Sequence, residues 1–227
     1  MSSTIIDLEN VKKTYEMGDT TVEALKSSNV EIKEGEFVAV MGPSGSGKST
    51  LMNMIGALDT PTSGEVHVGD EAISQLGEDD LALLRSKKIG FIFQQFNLIP
   101  SMNATENVAL PMLFRGIGKK ERTQRAEEIL ERVGLGDRLH HMPSELSGGQ
   151  RQRVSIARSL ANNPEIILAD EPTGNLDSET GENIMDLLTE LNDEGKTIIM
   201  VTHDENDAKY ADRIIKIVDG KTGLEDK

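Results

Sequence analysis

Apolar and polar residues alternate along Ile5-Ile6-Asp7-Leu8-Glu9-Asn10-Val11 and along Val30-Glu31-Ile32-Lys33, which predicts two strands with one buried face each. Phe37-Val38-Ala39-Val40-Met41 breaks that alternation. Five apolar residues in a row, ending at Gly42, predict a strand buried on both faces. Ile166-Ile167-Leu168-Ala169, Ile198-Ile199-Met200-Val201 and Ile214-Ile215-Lys216-Ile217-Val218 predict three more of that kind, and Gly90-Phe91-Ile92-Phe93 a further strand. A helix is predicted from about Gly47, with Leu51, Met54, Ile55 and Leu58 on one face, then a loop over Asp59 to Gly64 and a short strand around Glu65 to Val68. Glu121 to Val133 places Ala126, Ile129, Leu130 and Val133 on one helical face, and Ser147 to Leu160 repeats the pattern through Val154, Ala157 and Leu160. Buried strands separated by helical patterns predict an α/β protein with a mostly parallel sheet under helical cover. No repeat or low-complexity segment interrupts the pattern.

Composition narrows this picture. The 227 residues, 37% apolar and 28% charged, suit one globular domain with room for an inserted lobe. No apolar run approaches the ~20 residues that cross a bilayer, and Met1 to Asp7 lacks the basic start and apolar stretch of a secretory signal. Zero cysteines exclude a disulfide framework and thiolate metal sites. A net charge of −15 repels polyanions, so nucleic acid is excluded as a general partner. Anionic lipid is repelled equally, so membrane contact is expected through a protein and not by direct insertion.

The chemistry begins where the first buried strand ends. Gly42-Pro43-Ser44-Gly45-Ser46-Gly47-Lys48-Ser49 fits G-x-x-x-x-G-K-S/T between a buried strand and an amphipathic helix, with Thr50 next in the helix. Glycines let successive N–H groups curl around a phosphate, and the helix N-terminus adds its dipole. Lys48 is expected on the β- and γ-phosphates of a nucleoside triphosphate, and the Ser49 hydroxyl on Mg²⁺. Asp170 ends a second buried strand and is expected beside that Mg²⁺, through water. Glu171 follows it and is expected to polarise the attacking water.

Leu146-Ser147-Gly148-Gly149-Gln150 opens another helix with small residues and exposed N–H donors, which makes a second anion site. Ser147 caps that helix on any reading. The Gly-Gly pair behind it weakens the helix and is not explained by capping. One chain needs one γ-phosphate cradle, so the second is expected to serve a neighbouring molecule's nucleotide.

With these motifs the chain resembles the ABC ATPase family along essentially its whole length, and Leu146 to Gln150 matches that family's signature motif residue for residue. The resemblance implies a P-loop NTPase core with a mostly parallel sheet, an N-terminal antiparallel β subdomain and an inserted helical subdomain. Residues 1–227 then form one cassette: 1–93 and 165–227 the nucleotide-binding core with the β subdomain, and roughly 94–164 the helical subdomain. It further implies that Tyr15 stacks on adenine and that Gln94 is the loop glutamine serving catalysis and the metal. Gln95 competes for the latter role, and Gln94 is preferred because it directly follows the Gly90 to Phe93 strand. Asp177, in Asn175-Leu176-Asp177, resembles the loop that crosses to the partner, and His203 the histidine that touches the γ-phosphate.

The implied activity is ATP hydrolysis with ATP and Mg²⁺, by a homodimer that drives a separate integral membrane permease subunit from the cytoplasmic face of the membrane. The stretches Leu58 to Glu65, Phe93 to Pro100 and Glu171 to Asp177 look like the subgroup of lipoprotein-releasing, macrolide-export and cell-division ATPases. Export and non-transport mechanotransmission both remain open at this point. A soluble ABC ATPase of the DNA-repair or translation class is disfavoured by the absence of coiled-coil insertions and by the acidity. The signature and His203 oppose a small-molecule kinase. Leu98, Ile99, Met102, Leu110, Met112 and Leu113 are candidates for a permease-docking groove, with at least half expected to be core.

Overall fold

The computed structural model describes residues 3–18 and 20–225. In chain order they form β1 (Thr4–Met17), β2 (Thr20–Lys33), β3 (Phe37–Met41), α1 (Lys48–Ile55), β4 (Ser63–Val68), β5 (Glu71–Ala72), α2 (Glu78–Lys88) and β6 (Ile89–Phe93). There follow α3 (Ala104–Phe114), α4 (Lys119–Arg132), α5 (Gly148–Leu160), β7 (Ile166–Asp170), α6 (Ser178–Asp193), β8 (Thr197–Val201), α7 (Glu205–Ala208), β9 (Arg213–Val218) and β10 (Lys221–Glu225). The chain divides into two compact units, one running to Arg85 and resuming at Asn192, the other spanning Ser86–Leu191.

The first unit carries an antiparallel sheet in the order β2-β1-β4-β5. It also carries a parallel trio in which β3 lies between β8 and β9, with β10 antiparallel on β9. Register pairs Val40 with Val201 on one side and with Ile215 on the other, so β3 and β8 end within a residue of each other while β9 runs on to Val218. Val38 to Val40 and Ile198 to Val201 are all buried, as their unbroken apolar runs predict. Each such Val or Ile contributes about 1.5–3 kcal/mol, which leaves little freedom for β3 to slip. The second unit carries β6 parallel to β7, with α5 packed on β6 and against α3 and α4. Asn107 is fully buried on α3 yet satisfied: it accepts from the Ile99 N–H and donates to the Ile99, Met102 and Asn103 carbonyls, pinning that loop.

Several elements differ from the sequence pattern. β2 begins ten residues before Val30, and the first four of its residues are exposed, so no buried face signals its start. Helix α1 stops at Ile55, where Gly56 follows, and Leu58 is 49% exposed rather than on the buried face. Helix α3 has Pro111 inside it and apolar residues around most of its circumference, which hides its period. Of the six groove candidates only Met112 is core; Leu113 is 47% exposed and the other four are half-buried, fewer core residues than expected. Among the described residues no helix is long and apolar enough to cross a membrane.

Candidate functional site

In the first unit the phosphate loop starts where β3 ends. Gly47 sits at φ 108°, outside the range of L side chains, and a Cβ there would lie 2.6 Å from the Ala24 carbonyl oxygen. Only glycine fits that position. The loop is braced by Ser46 N–H donating to Pro43 O (3.2 Å) and Gly220 N–H donating to Ser46 O (2.9 Å). Lys48 Nζ donates to the carbonyls of Gly42 (2.8 Å) and Pro43 (3.0 Å), which holds its charge over the loop. Pro43, Ser44, Gly45 and Ser49 are exposed; Gly42, Gly47, Lys48 and Thr50 are half-buried and Ser46 is buried. The parallel register of β3 and β8 brings the chain beyond Val201 to this same sheet edge. Thr202 N–H donates to Val40 O (3.2 Å), and the exposed His203 follows.

Tyr15 projects from β1 into a polar cluster that the sequence reading missed. Its hydroxyl lies 2.9 Å from Asp59 Oδ2 and shares a hydrogen bond with Thr50. Lys13 Nζ lies 5.0 Å from the Tyr15 ring centroid and donates to Asp59 Oδ1 (2.6 Å) and Thr60 O (2.8 Å). Burial and the Asp59 carboxylate together raise the Tyr15 hydroxyl's pKa. Partial burial pushes the Asp59 carboxyl up. Hydrogen bonds from Lys13, Tyr15 and the Thr60 N–H, with the Lys13 charge, outweigh it and hold the group below the usual carboxylate range. The period-2 spacing of Lys13 and Tyr15 on one strand was the available signal.

The second unit gathers the other candidates. Phe93 of β6 pairs with Asp170 of β7 in parallel register, so Gln94 and Glu171 leave adjacent strands at the same end. Glu171 has φ 48°, a left-handed conformation that costs a non-glycine residue of order 1–3 kcal/mol and is found where function or packing imposes it. The turn after it is closed by Gly174 N–H donating to Glu171 O (3.2 Å), and Asn175 Nδ2 donates to Gln94 O (2.8 Å). Gly174 packs so tightly on the Gln94 amide that a Cβ would come within 2.7 Å of Nε2. Gln95 is exposed and Gln94 is half-buried against this turn, so Gln94 is the one aligned with the acid pair.

Ser147 caps α5 reciprocally: its Oγ accepts from Gln150 N–H (3.2 Å) while Gln150 Oε1 accepts from Ser147 N–H (2.9 Å). Leu146 is buried and Ser147 exposed. The Gly-Gly pair has a packing reason that capping alone did not supply. A Cβ on Gly149 would come within 2.4 Å of Thr180 Cγ2, and one on Gly148 within 3.3 Å of Leu176 Cδ2. The first turn of α5 therefore sits against the Leu176 to Thr180 segment. Asp177 caps α6 there, accepting from the Thr180 N–H (2.9 Å) and hydroxyl (2.8 Å), and those bonds lower its pKa.

The residues expected from the sequence to offer oxygen to a metal are Ser49 in the first unit and Gln94 and Asp170 in the second. Among the described residues no three or more His, Cys, Asp or Glu side chains gather into a metal site. A hydroxyl, an amide and one carboxylate are hard donors that fit Mg²⁺, which keeps several waters and takes the rest of its shell from phosphates.

Comparison with known proteins gives the same direction throughout. The ABC transporter family matches residues 25–174. YknY, an ABC transporter ATP-binding protein of Bacillus subtilis, is 56% identical over 216 residues, covering 95% of this chain and 94% of that one. The macrolide export ATP-binding/permease protein MacB of Wolinella succinogenes is 53% identical over 221 residues, which are 97% of this chain but 34% of MacB. The ATP-binding cassette MJ0796 of Methanocaldococcus jannaschii, solved as a post-hydrolysis dimer bound to ADP and Pi, superimposes with a TM-score of 0.89 at 53% identity, over 97% of this chain and 98% of that one.

Proposed function

The chain belongs to the ABC transporter ATP-binding family, and on that premise we propose that two copies dock around two ATP molecules and hydrolyse them to drive a membrane permease. The observation that carries this reading is the strand–loop–helix from β3 to α1, with a glycine-only turn at Gly47 and the Lys48 ammonium drawn over the loop. The loop from Gly42 to Thr50 wraps the phosphates, and Lys48 neutralises charge on the β- and γ-phosphoryl oxygens. Tyr15 stacks on the adenine. Mg²⁺, when bound, offsets the remaining charge on those oxygens. Ser49, Gln94 and, through water, Asp170 are its protein oxygen donors.

Glu171 orients a water and accepts its proton as the water oxygen bonds to Pγ. The bond from Pγ to the bridging oxygen breaks, leaving ADP and phosphate. His203 donates to the γ-phosphoryl group. The second copy supplies Leu146 to Gln150: the Ser147 hydroxyl and the first N–H groups of α5 close the phosphate from outside. Asp177 lies in the segment that crosses to that copy. ATP thus forms part of the interface, and its hydrolysis releases the pair.

The similarity to MacB supports an export or lipoprotein-release type of system, and a non-transport role of the cell-division type is not favoured by the relatives. YknY and MJ0796, both named as ABC transporter ATP-binding proteins, support the reading of an ATP-binding subunit, whose proposed place is on a membrane permease at the inner face of the cell membrane. A hollow of about 410 Å³ between α3 and α4, lined in part by Met102, Ala109, Leu110 and Leu113, is the proposed seat of a permease segment. An ATP-binding titration tests the core of the proposal. Lys48→Ala should weaken ATP binding about 10- to 100-fold, the equivalent of one charge-assisted hydrogen bond. Unchanged affinity would contradict the phosphate-loop reading.

A further inference from the structure

Helix α5 opens at Ser147, but three side chains along its body reach inward to the loops that follow β6 and β7. Gln152, fully buried, donates Nε2 to the Pro172 carbonyl (2.6 Å), one residue after Glu171. Arg158 donates from Nη1 to Asn97 O (2.5 Å) and from Nη2 to Phe96 O (2.8 Å). Arg151 places its guanidinium carbon 5.3 Å from the Phe96 ring centroid while donating to Leu146 O (3.2 Å).

The two carbonyls that Arg158 grips belong to an unusual pair. Phe96 and Asn97 are consecutive non-glycine residues in the left-handed region, at φ 58° and 48°. One such residue is uncommon, and for a bulky aromatic it is an outlier that persists only where its surroundings impose it. The surroundings here are visible: a planar fork with one N–H on each of the two carbonyls, and a second guanidinium over the Phe96 ring. Burial also lowers the Arg158 pKa, so its charge is partly desolvated and its bonds to those carbonyls are correspondingly strong. The left-handed pair follows Gln94 by two residues in the loop between β6 and α3, and α5 packs along β6, the strand that leads into Gln94.

We propose that Arg158 is a positioning residue for Gln94: by forking the Phe96 and Asn97 carbonyls it fixes the loop that aims the Gln94 amide, and it makes that loop move with the helix that begins at Ser147. The proposal rests on the reading of Gln94 as a donor toward the metal and γ-phosphate. An ammonium cannot replace the fork, because a point charge on a flexible stem does not span two carbonyls in fixed geometry.

The test is steady-state ATP hydrolysis at varied free Mg²⁺ for the wild type, Arg158→Lys, Gln94→Ala and the double variant, with circular dichroism on each. Arg158→Lys should lower kcat and raise the half-saturating Mg²⁺ concentration, each by about 10-fold, as loss of an orienting partner behind a ligand does, with KM for ATP little changed. The double variant should be no worse than Gln94→Ala alone. Wild-type Mg²⁺ dependence in Arg158→Lys, or losses that multiply in the double variant, would overturn the role of Arg158. Wild-type kcat and Mg²⁺ dependence in Gln94→Ala would instead overturn the reading of Gln94, and the proposal with it. Should Arg158→Lys fail to fold, Arg151→Met carries the test. It removes the cation from the Phe96 ring but spares both carbonyl bonds, and should shift the Mg²⁺ dependence in the same direction by less; no shift counts against the clamp.

Discussion

Glu171 and Asp59 show what single carboxylates do in this chain. Glu171 leaves β7 in a left-handed conformation beside Gln94. Glu171→Gln keeps the shape and removes the proposed base, so turnover should fall about 10²- to 10⁴-fold with ATP affinity retained. Parallel measurements of phosphate release and of bound nucleotide check both halves. Asp59 titrates low because three donors and the Lys13 charge hold it ionised against its burial. A depressed carboxyl contributes stability above its unfolded pKa of about 3.9, and that contribution is lost as pH falls through the lower folded value. Acid titrations of melting temperature for wild type and Asp59→Asn should therefore converge at low pH and separate above about pH 4–5, the wild type being the more stable. Curves that stay parallel would mean the Lys13–Asp59–Tyr15 cluster is not formed in solution. The phosphate loop and both acids were legible as residues, because their spacing is local. Lys13, Asp59 and Arg158 were not, since their partners lie 44 to 62 residues away in the chain.

At the scale of elements, β3, β7 and β8 were read directly from their apolar runs; β9, expected to be buried on both faces, instead alternates, with Lys216 and Val218 exposed, and the exposed start of β2 and helix α3 were not read. Hydrophobic pattern reports burial, so an exposed strand start and an apolar helix interrupted by proline carry little signal. The Gly148–Gly149 pair is the sharper lesson. Its helix cost was visible in the sequence, and its reason, contact of α5 with Leu176 and Thr180, was not. The Thr180 methyl cannot swing aside cheaply, because Asp177 holds the hydroxyl and the backbone N–H of that residue. Gly149→Ala should therefore destabilise the protein by about 1–3 kcal/mol despite the better helix propensity of alanine. Adding Thr180→Ser removes the methyl and keeps the Asp177 bond, and should restore most of the loss in urea unfolding. A double variant no more stable than Gly149→Ala would place the strain elsewhere.

For the whole molecule the dominant number is a net charge of −15. Self-repulsion of that size opposes compactness and is screened as the Debye length falls from ~10 Å at 0.1 M salt to ~3 Å at 1 M. The melting temperature should rise by about 5 °C over that range in potassium chloride, the equivalent of ~1–2 kcal/mol for a chain of this size, and a flat or falling curve would contradict it. The same repulsion acts between two copies that must meet, so pairing around nucleotide should also strengthen with salt. The central claim is that one ATP is gripped by the phosphate loop of one copy and the Ser147 end of α5 of another. In sedimentation velocity, Glu171→Gln with Mg²⁺ should run as a dimer with ATP, as a monomer with ADP, and as a monomer that still binds ATP when Ser147→Arg is added. A Glu171→Gln protein that stays monomeric while saturated with ATP, or a dimer indifferent to Ser147→Arg, would contradict it.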